Sequence, residues 1–319
     1  MSSETKAKLK KLLVGIFYAA VVIFIVRYFI SLDFSIIKKI KVNWLLVILA
    51  TMVRTCSLLV LPLSWQTLLN HFMDRKLTRD KLYMIYAKSW LGRYIPGKVA
   101  WIGGKIYFAA QEKIDTNVAV ITSFLDSVLQ VFSCMLVGVV FFIFTDTTKV
   151  SPDTVRMLYL MTVVMILVLI PPVFNRIVSL GYKILKRKEL GKEYWMDTKT
   201  LTKGTSLVVL SKLVSGIGTS CIIWALYPSL SFSQFVFSIG VFSVSTAIGM
   251  AALFAPAGLG VKESMQLLLL SIIVPKEIGA ITVTLVSIQS VVIDISFYLI
   301  AKAILKFDGI TKKPDDAAA

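Results

Sequence analysis

Ala255-Pro256-Ala257-Gly258-Leu259-Gly260-Val261-Lys262-Glu263 interrupts two apolar runs, 235–254 and 265–274. Proline and glycine here free backbone groups that hydrocarbon cannot satisfy, so a break at membrane depth must face protein or a watery cavity. The run after the break spans ten residues, which a helix stretches over only about 15 Å. It is too short to cross a hydrocarbon core of about 30 Å. The chain is therefore expected to turn back at the break as a re-entrant hairpin of two half-helices. Residues 83–111 read the same way. They are apolar enough to enter a membrane, but carry Lys88, Arg93, Lys98 and Lys105 and are broken by Pro96, Gly97, Gly103 and Gly104.

Longer apolar runs cover about 12–30, 44–69, 117–144, 155–174, 206–226 and 278–305. Each is long enough to span a bilayer. The run 12–30 follows Lys6, Lys8, Lys10 and Lys11 and ends on Arg27-Tyr28-Phe29 without a small-residue cleavage site. It is expected to stay as a signal anchor. The 319 residues are 57% hydrophobic and 17% charged, with mean hydropathy +0.80. The expected fold is all-α and polytopic, with about six full spans and two re-entrant hairpins. No hydrophilic stretch is long enough to fold alone, so 1–319 reads as one membrane domain.

Charge orients this layout. With a cytoplasmic N-terminus and both hairpins returning to their starting side, segments 1–11, 70–82, 175–205 and 306–319 are inside and hold 19 Lys and Arg. The outside segments 32–42, 145–154, 227–234 and 275–277 hold 5. That asymmetry follows the positive-inside rule and places both termini in the cytoplasm of a cell membrane. It also accounts for the formal charge of +17 without nucleic acid as a partner. The loop 175–205 interleaves Arg176, Lys183, Lys186, Arg187, Lys188 and Lys192 with Ile177, Leu180, Ile184, Leu185 and Trp195. This is the pattern of a basic amphipathic helix on an anionic surface.

The order span, broken hairpin, span occurs twice, over 44–144 and 206–305. The first hairpin enters from the cytoplasmic side and the second from the opposite side. This is the layout of an inverted repeat, which places a site near the midplane. Each hairpin break carries a lysine, and each following span an aspartate, Asp126 and Asp294.

Ionised groups at membrane depth face a partner or a cavity. The candidates are Arg54, Arg93, Lys98, Lys105, Lys212 and Lys262, with Asp126, Glu263 and Asp294 as anions. The cationic surplus suits an anionic ligand such as a phosphate, and half-helix N-termini after Pro96-Gly97 and Pro256, Gly258 and Gly260 would add N–H donors. Arg54, Arg93, Lys98, Lys105 and Lys262 are the candidate binding residues. Asp126, Glu263 and Asp294 would balance charge or couple protons. Each has a plainer role: Lys212 can snorkel, Glu263 can cap its half-helix, and the aspartates can lock helices together. Gly216-Ile217-Gly218 reads as close helix packing.

Cys56, Cys134 and Cys221 lie in apolar runs and read as small hydrophobes, and the lone His71 cannot build a His-based metal site. Walker, HExxH, CxxC and nucleophile-elbow motifs are absent from the sequence. A transporter without cofactors is expected rather than an enzyme.

Arg93-Tyr94-Ile95-Pro96-Gly97-Lys98-Val99-Ala100-Trp101, followed by Gly104-Lys105, resembles the first motif of the lysylphosphatidylglycerol synthase membrane-domain family of flippase-like proteins. Pro256-Ala257-Gly258-Leu259-Gly260-Val261-Lys262-Glu263 resembles the second. Asp126 falls where that family carries an aspartate after an acidic–basic pair, which Thr122 and Ser123 replace here. The resemblance spans almost the whole chain and implies a domain that moves lipids or lipid-linked headgroups between leaflets. With no aminoacyl-transferase domain after Lys312-Lys313-Pro314 in this sequence, a stand-alone member is expected, one that does not make lysylphosphatidylglycerol.

The leading expectation is a flippase for a membrane phospholipid or a polyprenyl-phosphate-type lipid. The alternative is an accessory subunit or enzyme of lipid headgroup or glycolipid modification. A homo-oligomer or a lipid-modifying enzyme would be its protein partners. A transporter of soluble substrates is a third reading, and would need a cavity closed to lipid on its sides.

Overall fold

The computed structural model describes residues 40–74, 76–94, 99–144, 152–186, 190–252, 255 and 258–311. The expected anchor at 12–30, the residues Pro96, Gly97, Lys98 and Pro256, and the basic residues Arg187, Lys188, Lys312 and Lys313 lie outside that set. Among the described residues the fold is an all-α polytopic membrane protein.

Helices α1 (Trp44–Leu58) and α2 (Leu61–Phe72) form the first span. The Asn43 side chain caps α1 by accepting from the Leu46 N–H at 3.1 Å. Pro62, which has no N–H to donate, is placed in the first turn of α2. The hairpin α3 (Arg79–Leu91) and α4 (Val99–Gln111) follows, with a 3₁₀ turn at Gly92–Tyr94. Next comes the span α5 (Thr116–Ile143), capped by Asp115, which accepts from Asn117 N–H and Val118 N–H.

Helices α6 (Pro152–Val168) and α7 (Pro171–Lys186) meet at a bend of 83°. The run expected to span 155–174 therefore turns at Leu169-Ile170, just ahead of Pro171 and Pro172, whose missing N–H groups stop the first helix from continuing. Beyond the bend, α7 buries Phe174 and Val178 and exposes Arg176 and Lys183, the amphipathic pattern expected of this loop. Asn175 fixes it by exchanging two hydrogen bonds with the Met196 backbone.

The second half holds the span α8 (Thr198–Leu226), the pair α9 (Phe232–Ala251) and α10 (Val261–Leu270), and the long α11 (Lys276–Thr311). Five described helical stretches are long and apolar enough to cross a membrane, and the bent pair would make a sixth. Their outer faces carry exposed apolar residues at helical spacing, such as Ile288, Val291, Ile295 and Leu299 on α11.

Polar contacts mark the two ends of the bundle. At one end, His71 Nε2 lies 2.9 Å from the Trp195 carbonyl, joining the end of α2 to the start of α8. At the other, Asn43 N–H donates to the Ala225 carbonyl at 3.0 Å. Each hairpin is closed at its base. Lys81 pairs with Glu112 at 2.5 Å, bringing the start of α3 to the end of α4. Gln234 Nε2 donates to the Ile273 carbonyl at 2.8 Å, bringing the start of α9 to the turn after α10. Thus the first hairpin opens from the His71 end and the second from the Asn43 end.

One arm differs from expectation. At 20 residues, α9 is span-length rather than half-length. A capping box between Ser231 and Gln234 starts it early, and no proline stops it before Ala251. It still returns to its starting end through Gln234.

Helix α5 crosses α9 almost backbone to backbone. A Cβ on Gly240 would fall 2.9 Å from the Gly138 carbonyl oxygen, the small-residue contact that lets apolar helices approach closely. The expected packing role of Gly216 and Gly218 is met likewise. A Cβ on Gly216 would press on Ile239 at 2.9 Å, and one on Gly218 on the Arg54 side chain at 2.8 Å.

Candidate functional site

The hairpin tips converge on a cavity of about 160 Å³. At roughly 10–15 Å³ per water centre, it is roomy enough for a hydrated headgroup-sized anion. Arg54 comes from α1, Arg93 from the first tip, Lys212 from α8 and Lys262 from α10. Asp294 on α11 is the one carboxylate in the lining, which also includes Ser211, Ser215, Thr219, Ser243, Thr246, Ser290 and Gln266.

The second tip owes its shape to glycine. Gly258 and Gly260 adopt φ of +73° and +82°, left-handed values that side chains disfavour. A Cβ on Gly258 would also lie 2.7 Å from the Gly249 carbonyl oxygen. Glu263 Oε2 then accepts from Gly260 N–H at 2.7 Å, so Glu263 does cap its helix. Its other oxygen accepts from Ser287 and lies 3.3 Å from Lys262 Nζ. Lys262 and Gln266, four residues apart, share one face of α10.

The first tip is held by Asp294. Its Oδ1 accepts from Trp90 Nε1 at 2.9 Å, and its Oδ2 from Tyr94 OH and Arg93 Nη2, both at 2.6 Å. The Arg93 guanidinium also lies over the rings of Trp90 and Tyr94. Arg54 is fixed from α11: Nη1 donates to Gln289 Oε1 at 2.7 Å and Nη2 to Ser290 Oγ at 3.1 Å. Gln289 in turn donates to Thr51.

Among the described residues, four cations therefore face Asp294 in the lining, with Glu263 paired to Lys262, and Arg54, Arg93 and Lys262 lie near enough to repel one another. Among the described residues, Arg54 Nε, Arg93 Nε and Trp101 Nε1 are buried donors and Gln266 Oε1 a buried acceptor without a hydrogen-bond partner, and all four side chains line the cavity. The chemistry on offer is anion binding.

Lys105 and Asp126 are placed elsewhere. Both are fully buried and pair at 2.5 Å behind the cavity wall. Asp126 Oδ2 also accepts from Tyr86 OH and Gln130 Nε2. The Lys105 ammonium lies over Trp65, Tyr86 and Trp101. Asp126 thus has a cationic partner although Thr122 and Ser123 replace the family's acidic–basic pair. Gln130 links this cluster to the cavity, because its Oε1 accepts from Lys212 Nζ at 3.3 Å.

Of the residues expected in the site, Arg54, Arg93, Lys262 and Asp294 come together, with Glu263 beside them. Lys212, equally readable as snorkelling, lines the cavity. Its signal in the sequence is the stripe Ser211, Ser215 and Thr219 around it, a polar face too regular for a helix end in lipid.

The lysylphosphatidylglycerol synthase TM region matches residues 11–296. The chain belongs to that family. No curated protein matches it. The lysylphosphatidylglycerol synthase TM region covers both hairpins, the cavity and the Lys105–Asp126 cluster. Membership, with the apolar helices, makes this an integral membrane protein with a lipid-related function.

Proposed function

We propose that this protein moves an anionic lipid headgroup between leaflets through the cavity where its two hairpin tips meet. The observation that carries the reading is the excess of four cations over two carboxylates, Asp294 in the lining and Glu263 beside Lys262, inside a bundle whose outer faces are apolar. The headgroup would exchange water for Arg54, Arg93, Lys212 and Lys262 while its tails stay in lipid.

An inverted repeat would give such a site two exits. The packing supports it. If α1–α2 corresponds to α8, α3–α4 to α9–α10 and α5 to α11, then α3 against α11 maps onto α9 against α5. Likewise α4 against α5 maps onto α10 against α11. Closing of the hairpins from opposite ends of the bundle agrees with this exchange. On the positive-inside reading, the His71 end and both termini are cytoplasmic.

The test is leaflet exchange of labelled anionic lipids in proteoliposomes. Wild type should exchange them, and Lys262→Ala and Lys212→Ala should each slow exchange about tenfold, the worth of one charged hydrogen bond. Lys302→Ala, outside the cavity, should match wild type. No exchange of any phospholipid or polyprenyl-phosphate lipid would reject the proposal.

A further inference from the structure

We infer that the cavity selects a terminal phosphate monoester over a phosphate diester, and rejects headgroups that carry an amine. The inference deepens the translocation reading and rests on it. Among the described residues, Arg54, Arg93, Lys212 and Lys262 against Asp294 and the Lys262-paired Glu263 leave a formal surplus of two positive charges. A diester brings one negative charge and two terminal oxygens. A monoester brings close to two charges at neutral pH and three terminal oxygens. Among the described residues, Arg54 Nε, Arg93 Nε and Trp101 Nε1, on side chains that line the cavity, are buried without partners. The monoester matches the charge better.

The cations are also fixed in place, which sharpens the choice. Arg54 is 8% exposed and held by Gln289 and Ser290. Arg93 is clamped between Asp294 and two aromatic rings. Held charges cannot turn away to relieve their mutual repulsion, so a ligand charge must relieve it. A headgroup with an ammonium group adds a fifth cation to charges that already repel, and the unpartnered acceptor on the lining, Gln266 Oε1, is neutral. An aminoacylated lipid is therefore disfavoured here, with Asp294 already accepting from three donors.

The experiment measures binding rather than transport. Trp90 and Trp101 line the cavity, so their fluorescence in the purified chain reports occupancy. Four probes are titrated: phosphatidic acid, phosphatidylglycerol, lysylphosphatidylglycerol and inorganic phosphate. Phosphatidic acid should bind at least about tenfold tighter than phosphatidylglycerol, since one more charge acts beside several cations. Lysylphosphatidylglycerol should bind weakest of the lipids.

The preference for phosphatidic acid should grow between pH 5 and 8, as its second ionisation near about pH 6 completes, while the phosphatidylglycerol affinity stays flat. Lys262→Gln should shrink the preference, and Lys262→Arg should keep it. Equal or tighter binding of phosphatidylglycerol, or a preference that ignores pH, overturns the inference. Inorganic phosphate binding as tightly as phosphatidic acid overturns the lipid source and assigns the site to a soluble anion. Leaflet exchange without this selectivity would sink the inference alone, and selectivity without exchange would sink translocation alone.

Discussion

Lys105 and Asp126 test what a buried charge is for. With both side chains fully buried and joined at 2.5 Å, removing one partner strands the other in an apolar interior. Asp126→Leu or Lys105→Met alone should cost about 3–5 kcal/mol of stability, and the double variant should recover much of it. Thermal unfolding of the four proteins in detergent measures this as a cycle. A double variant no more stable than the worse single would show that the pair acts through other partners. The sequence singled out both residues because ionisable groups at membrane depth are rare. It could not say that the pair lies behind the cavity wall, because that depends on Trp65, Tyr86 and Trp101 closing around the ammonium from different helices. Lys212 was ambiguous for the converse reason. A lysine a few residues inside a span snorkels or turns inward according to which neighbour is present, and here Gln130, 82 positions away in sequence, accepts its hydrogen bond.

At the level of elements, proline and glycine carried most of what could be read. The hairpin at 255–263 was legible because only glycine adopts φ near +73° and +82° without strain. Gly258→Ala should therefore be costly twice over, through the backbone and through the 2.7 Å approach of its Cβ to the Gly249 carbonyl. A loss of about 1–3 kcal/mol is expected from the strained conformation, with further loss from the clash. Thermal unfolding checks it against Leu259→Ala, a partly exposed neighbour expected to change little. Equal stability of the two variants would mean that the tip relaxes freely. The bend between α6 and α7 was less legible. Residues 157–170 are apolar but for Thr162, and hydropathy does not register that Pro171 and Pro172 end one helix and start another. The run 235–254 reads at its full length but as half of a hairpin; α9 keeps a span's length, and Gly240 and Gly249 serve it as close contacts.

For the molecule as a whole, everything depends on two elements turning back instead of crossing. If α3 and α4 return, residues before and after them lie on one side. If α9 and α10 return, the same holds at the opposite side. The contacts Lys81–Glu112 and Gln234–Ile273 close these hairpins at their bases, and the Asn43–Ala225 and His71–Trp195 contacts define the two ends. In a variant with Cys56, Cys134 and Cys221 replaced by alanine, single cysteines at Lys76, Thr116 and Lys199 should therefore react with an impermeant thiol reagent from one face of the membrane. Cysteines at Ser229 and Pro275 should react only from the other. All five positions are exposed, so failure to label from either side would not follow from burial. Labelling of Thr116→Cys from the Ser229 face would mean that the first hairpin crosses, and labelling of Pro275→Cys from the Lys76 face that the second does. Either result would place Arg93 and Lys262 on helices passing through the membrane rather than on tips meeting within it, and the two-exit cavity would lose its basis. On the proposed orientation, with the Lys76 face cytoplasmic by the positive-inside rule, reaction in intact cells should be confined to Ser229→Cys and Pro275→Cys.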